Sequence, residues 1–340
     1  MTDNHEKRAE ADVERAKRDL RRLEAQGEVI GTSAMSRAAN KTRDHLMGAD
    51  AENQDDWAEV WGRRIGRSLG VVFALYLAYW LIMTPTLNLS DVSVLAISSH
   101  VAMGRVGLRA VAPAFEALGM TVHLLPTVMM PWHPGRGPST RAETPDFSTM
   151  LEEISESDMG KSLSAIMTGY FASKEQVQRT ATVIAEMKRA NPDLTYLCDP
   201  VIGDNGVLYI AEDIATTIRD ELVPLADYLT PNTFELSWLT DLPVTTLEEA
   251  MIASHELGSP GTQVLASSVP DQSPDLISLV LTTLPFDKDE TVEVSSMKHE
   301  RFDHAPNGTG DLMAAVFLAL NLIDLEADFV LSGTTFIMYE

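Results

Sequence analysis

The chain reads as an α/β fold built on a mostly parallel central sheet, preceded by a helical extension that carries a strongly apolar helix. Three observations predict this. Beyond residue 90, short β-rich runs alternate with helical stretches, the rhythm of a sheet covered by helices on both faces. Polar residues collect where five of those runs end, as ligand-binding residues do in open parallel sheets. Charge also changes abruptly: of 26 basic and 50 acidic residues, the first ninety hold 13 and 14, leaving 13 and 36, net −23, for residues 91–340. Such a split marks regions of different physical character, and the join falls near Asn88. The domains expected are therefore a charged helical extension and linker over 1–64, an apolar helix over 65–88, and an α/β body over 89–340.

Composition narrows the classes further. With 45% apolar and 22% charged residues, 20 Gly and 17 Pro, the chain is globular rather than collagenous, low-complexity or largely disordered. A net charge of −24 repels phosphate backbones and argues against nucleic acid as a partner. Any anionic ligand then needs a local cation. One cysteine excludes an internal disulfide framework and a multi-thiolate zinc site, and fits a reducing compartment.

From His5 to Gln26, Val13, Ala16, Leu20 and Leu23 form a thin apolar stripe on a charged helix, which reads as solvated rather than as a stable pairing surface. Residues 27–56 form a polar linker. No charge occurs between Arg67 and Asp91, and Leu69–Met83 is strongly apolar with Tyr76, Tyr79 and Trp80 towards one end. The stretch predicts a membrane helix, a little short of the ~20 residues of a span unless Ile65 and Thr84–Leu89 are recruited. Arg63, Arg64 and Arg67 would hold the N-terminal side in the cytoplasm and send the rest across. That conflicts with a cytoplasmic α/β body; inverted insertion, surface attachment and a join of two reading frames remain alternatives.

In the body, strands are expected at Val92–Ile97, Thr121–Leu125, Ala165–Thr168, Thr195–Cys198, Tyr228–Thr230 and Gln263–Ala266. Helices are expected at Leu108–Leu118, Lys174–Ala190 and Thr246–Leu257. The strand ends carry Ser98-Ser99-His100, Thr168-Gly169-Tyr170, Asp199-Pro200, Thr230-Pro231-Asn232 and Ser267-Ser268. The most specific segment is Asn307–Ala315, where a Gly308-Thr309-Gly310-Asp311 turn enters an apolar helix through Val316–Leu320. Unpaired first-turn amides and the helix dipole would there favour a phosphate or a developing oxyanion. Asp311 is either a helix cap or a base that deprotonates an attacking hydroxyl; the pattern alone leaves both open. Met159-Gly160-Lys161-Ser162 ends like a phosphate loop, but Ser155 stands where its first glycine is required, so a surface turn is expected. His100, His123, His255, His299 and His304 show no metal-ligand spacing.

Val94–Gly107, Thr168-Gly169-Tyr170, Cys198–Asp204, Pro224–Glu235 and Gly308–Asp311 together resemble, in order, the motifs of the pyridoxal kinases of the ribokinase-like superfamily. The resemblance spans about 91 to 340 and implies a three-layer ribokinase-like fold, ATP and Mg²⁺ with K⁺ as a further candidate, and a homodimer. It implies ATP-dependent phosphorylation of the 5′-hydroxymethyl of pyridoxal, with pyridoxine and pyridoxamine as candidate acceptors, in vitamin B6 salvage. By the same resemblance Asp311 is the base, and Gly308, Thr309 and Gly310 offer amides to the γ-phosphoryl. Asp199, Thr230 and Glu235 serve the metal or a monovalent ion, and Asp204, Asn232 and Ser267 serve the nucleotide. Ser99, His133 and Tyr170 surround the pyridine ring.

The chain departs from that pattern at Pro131-Trp132 and Pro134, where small polar residues and a threonine are common, and at Ala266, in place of a hydroxyl residue. It also stops at Glu340, about one helix beyond the Gly-Thr-Gly-Asp segment, where the resemblance leads one to expect further helical structure. Two rival readings follow: a hydroxymethylpyrimidine kinase of the same fold, and a catalytically silent, membrane-attached homologue.

Overall fold

The computed structural model describes residues 89–287, 291–302, 306–325 and 327–339, which fall in the unit Leu87–Glu340. The expected extension over 1–64 and apolar helix over 65–88 lie outside the described residues. Among the described residues, no helix is long and apolar enough to cross a membrane.

The first strand, β1 (Ser93–Met103), is followed by α1 (Leu108–Ala117), β2 (Thr121–Trp132), β3 (Ala142–Glu143) and α2 (Phe147–Glu156). Then come β4 (Ala165–Thr168), α3 (Lys174–Ala190), β5 (Thr195–Cys198), the short strands β6 (Gly203–Asp204) and β7 (Val207–Leu208), and α4 (Glu212–Thr217). The chain continues through β8 (Tyr228–Leu229), α5 (Thr233–Thr240), α6 (Leu247–Leu257), β9 (Gln263–Pro270), β10 (Leu276–Thr283), β11 (Glu293–Glu300), α7 (Thr309–Leu322) and α8 (Ala327–Tyr339).

Nine strands form one sheet in the order β11-β10-β9-β8-β5-β4-β1-β2-β3. Its middle is parallel, β2 to β9. There Val94–Ile97, Ala165–Thr168 and Tyr196–Cys198 are buried without a break, as strands covered on both faces must be. The predicted strands and helices of this middle region are present, but the sheet is not parallel throughout. β10 runs antiparallel between β9 and β11, and β3 antiparallel to β2. β11 alternates between exposed and half-buried residues, which suits an edge strand with one solvated face.

Three strands outrun their expected ends, β9 by continuing from Ala266 to Pro270. β1 continues past a register shift between Ser98 and His100, still paired with β2. β2 continues through Pro126, tolerable because β3 pairs only with Val128 and Met129, and beside Pro126 the partner is the Thr144 hydroxyl, which donates to the Pro126 carbonyl and needs no N–H from the proline. The Gly-Lys-Ser segment forms a one-turn helix, Asp158–Lys161, capped by Ser157. It precedes the N-terminal end of β4, opposite the strand ends where the polar residues gather. Helix α7 is buried continuously from Met313 to Leu320 because it packs between α1 and α8, and Phe317 meets Tyr228 edge to face at 5.6 Å.

Candidate active site

The Gly-Thr-Gly-Asp turn is fixed by glycine stereochemistry. Gly308 caps α7 in the left-handed region, φ 95°, and a Cβ there would strike the Arg105 carbonyl. No other residue meets both demands without strain. Thr309 and Gly310 then open the helix, and nothing stands within 4 Å of where a Gly310 Cβ would be. Their amides have no acceptor within the helix and adjoin open space. Asp311 occupies the third helical position and makes no capping bond, so the helix-cap alternative falls. Its carboxylate accepts instead from the backbone N–H of Gly107, across more than two hundred residues of sequence. Burial pushes the Asp311 carboxyl up to about 6, with the Gly107 bond acting in the opposite direction.

Gly107 is itself locked at φ 55°, with the Ser99 carbonyl and hydroxyl where a side chain would go. The loop between β1 and α1 is therefore pinned at one end to Ser99 and Asp311, and along its length to Gly308.

Beside Asp311 lies a buried acidic group. Asp199, at the end of β5, accepts a 2.9 Å hydrogen bond from the Thr230 hydroxyl. Burial first, and the Asp311 charge second, push its pKa up to about 8, against the Thr230 bond. Glu235 is raised well above the carboxylate range by burial and then by Asp199, while backbone donors oppose the rise. Both its oxygens are engaged: Oε1 accepts from Ile202 and Gly203, and Oε2 from Asn232. Asn232 returns the favour as N-cap of α5, its Oδ1 accepting from the Glu235 N–H, a complete capping box. The other end of the Asn232 amide donates to the Gly203 carbonyl at 2.9 Å.

Asn232 thus ties the start of α5 to the β6–β7 hairpin, whose turn uses Asn205 and Gly206 at φ 50° and 81°. Asp204 in that hairpin accepts from the Asn205 backbone at 2.7 Å and side chain at 3.0 Å. Ser267 pairs beside Asn232 and donates its backbone N–H to Pro231 at 3.0 Å. Among the described residues, no group of three acidic, histidine or cysteine side chains could by itself hold a metal. The buried carboxyls of Asp199 and Glu235, the second raised by the charge of the first, nevertheless fit Mg²⁺, which takes one or two carboxylates and fills its shell with water and substrate phosphates.

The residues expected around the acceptor ring lie on or just beyond β1, β2 and β4. Ser98 is consumed locally, its hydroxyl accepting the Tyr170 N–H at 3.1 Å, while the neighbouring Ser99 is buried against Gly107. Tyr170 packs on Val101, Val106, Val128 and Met130, and its hydroxyl lies 3.4 Å from the Arg141 guanidinium. His133 accepts from the Gly135 N–H at 3.1 Å, and burial lowers its pKa. A Cβ on Gly135 would stand 3.8 Å from the Asn307 side-chain amide, which places this loop against the Gly-Thr-Gly-Asp turn.

Sequence reasoning missed three contributors. The Gly107 amide gives no side-chain signal at all. The Asn205-Gly206 hairpin does, since Asn-Gly is the strongest two-residue hairpin signature. The third is Gln176, which bridges the Thr127 carbonyl and the Ala172 N–H and so braces the backbone around Tyr170.

A carboxylate held at a helix start, bare helix amides and buried acidic side chains near strand C-termini fit a small-molecule kinase of the ribokinase-like class. The model of the phosphomethylpyrimidine kinase family matches residues 144–327. A pyridoxal kinase of Vibrio vulnificus is 32% identical over 232 residues, covering 66% of this chain and 78% of that protein. One from Bos taurus is 34% identical over 242 residues, covering 66% and 76%. The solved structure of Leishmania donovani pyridoxal kinase with ADP and pyridoxine superposes with a TM-score of 0.67 at 27% identity, covering 73% of this chain and 85% of the other. The chain belongs to the pyridoxal kinase family.

Proposed function

We infer that the protein transfers the γ-phosphoryl of ATP to the 5′-hydroxymethyl group of pyridoxal, giving pyridoxal 5′-phosphate in vitamin B6 salvage. The observation that carries the mechanism is Asp311: half-buried, held by the Gly107 N–H, pushed up to about 6 and placed in the same first helical turn as the free amides. A carboxylate so tuned is ionised at neutral pH yet basic enough to take the hydroxyl proton as the oxygen attacks. The Thr309 and Gly310 amides take up charge on the transferring phosphoryl. Ser99, Tyr170 and His133 orient the acceptor ring.

Asp199 and Thr230, with Glu235 acting through water, would hold Mg²⁺, which bridges nucleotide oxygens and offsets their charge; K⁺ is a candidate for a second, monovalent site. Asn232 serves the nucleotide indirectly, by fixing the hairpin that carries Asp204, and Ser267 contributes from the adjacent strand end. Asp311→Asn should keep ATP binding within about threefold and lower kcat by at least ~10²-fold; substantial retained turnover would refute its role as base.

A second reading, a hydroxymethylpyrimidine kinase, is favoured by the family model over 144–327. Initial rates with pyridoxal, pyridoxine, pyridoxamine and hydroxymethylpyrimidine, measured side by side, discriminate the two. We also propose a homodimer and a cytoplasmic body tethered to the membrane through residues 65–88. Recovery of the full chain in the soluble fraction without detergent would refute the tether, and the mass in solution tests the dimer.

A further inference from the structure

Resting on the kinase reading above, we propose that Arg105 and Arg136 form a guanidinium pair that binds the terminal phosphoryl of the nucleotide in front of the Thr309 and Gly310 amides. The need is electrostatic. Asp199, Asp204, Glu235 and Asp311 all belong to the site, in a region of net charge −23, and one hydrated divalent ion offsets only part of a triphosphate's charge. Further cations must come from side chains whose backbone already lies at the turn.

Arg105 meets that condition most directly. Its carbonyl is the atom that a Gly308 side chain would strike. Its loop is bounded by Gly104 and Gly107 at φ 122° and 55° and anchored by the Gly107 N–H on Asp311. Arg136 follows Gly135, which faces His133 and Asn307, so it approaches the same turn from β2. Both arginines are exposed, and neither forms an ion pair with another described residue. Four other cations are committed elsewhere: Arg179 to Glu152, Lys188 to Asp227, Arg219 to Asp220 and Lys298 to Asp271. Lys161 lies beyond the opposite end of the sheet. A guanidinium is suited to the task, because its planar fork donates two parallel hydrogen bonds to phosphate oxygens.

The proposal separates triphosphate from diphosphate binding. Calorimetric titration of the full chain with Mg²⁺-ADP and with the non-hydrolysable β,γ-imido analogue of ATP gives an affinity ratio that does not depend on the acceptor. Arg105→Gln and Arg136→Gln should each weaken the triphosphate analogue about tenfold, as loss of a charge-assisted bond implies, and leave ADP within about twofold. Arg105→Lys should fall between, keeping the charge but losing the fork. A ratio equal to that of the unsubstituted chain, or equal weakening of both nucleotides, would overturn the assignment. Pyridoxal turnover by the unsubstituted chain is scored separately. Its absence would remove the acceptor assignment and leave the affinity ratio to decide the role of the arginines.

Discussion

At the scale of single residues, the site consists of carboxylates held where they would not choose to ionise. Asp311, pushed up to about 6, must be deprotonated to act as base. The kcat/KM profile should therefore fall on the acid side with a midpoint near pH 6, and flat rates down to pH 5 would contradict this. Asp199, raised to about 8, has the same sign for stability. Its folded pKa lies above its unfolded value, so the contribution of its protonated form is complete below about pH 4 and lost as pH rises through about 8. Asp199→Asn, which keeps a partner for Thr230, should then raise the melting temperature of the metal-free protein. The gain should be largest near pH 8 and vanish near pH 4, while turnover is lost; calorimetric scans at the two pH values read it. Stability and catalysis conflict here because a charge useful to a metal is costly without one. Cys198, buried and raised to about 12, is by contrast an inert core thiol.

At the scale of elements, two joints hold the site. The first is the approach of the β1–α1 loop to the start of α7, where Gly308→Ala would force a side chain onto the Arg105 carbonyl at a positive φ. Strain of this kind costs about 1–3 kcal/mol, and displacement of the loop should also remove most activity, seen together in melting and rate measurements. The second is the α5 capping box, whose Asn232 also grips the hairpin through Gly203. Asn232→Ala should cost about 1–2 kcal/mol and raise the KM for ATP more than the KM for the acceptor, because Asp204 loses its support. An equal effect on both substrates would show that the joint serves only stability. Neither joint is local in sequence: residues 99–107 meet 308–311, and 203 meets 232.

At the scale of the whole molecule, a net charge of −24 repels the triphosphate it must bind. Moderate monovalent salt, up to about 0.15 M, should therefore lower the KM for ATP at fixed Mg²⁺ by screening that field. A rising KM would place attraction, not repulsion, in control of encounter. The sequence by itself determined the parallel middle of the sheet and the polar strand ends, because burial on both faces leaves a continuous apolar run and a helical face leaves its own period. It also determined the Gly308–Asp311 turn, since glycines flanking a carboxylate before an apolar helix are a local chemical pattern. The β10–β11 antiparallel edge, the length of β2 through Pro126 and the use of Asn232 as cap and clamp were decided only by tertiary structure. So was the loss of the cap alternative for Asp311, whose carboxylate accepts from the distant backbone amide of Gly107. Pairing partners, desolvation and close backbone approach are properties of segments far apart in the chain, and no residue carries a mark of them until the fold brings the partner into contact.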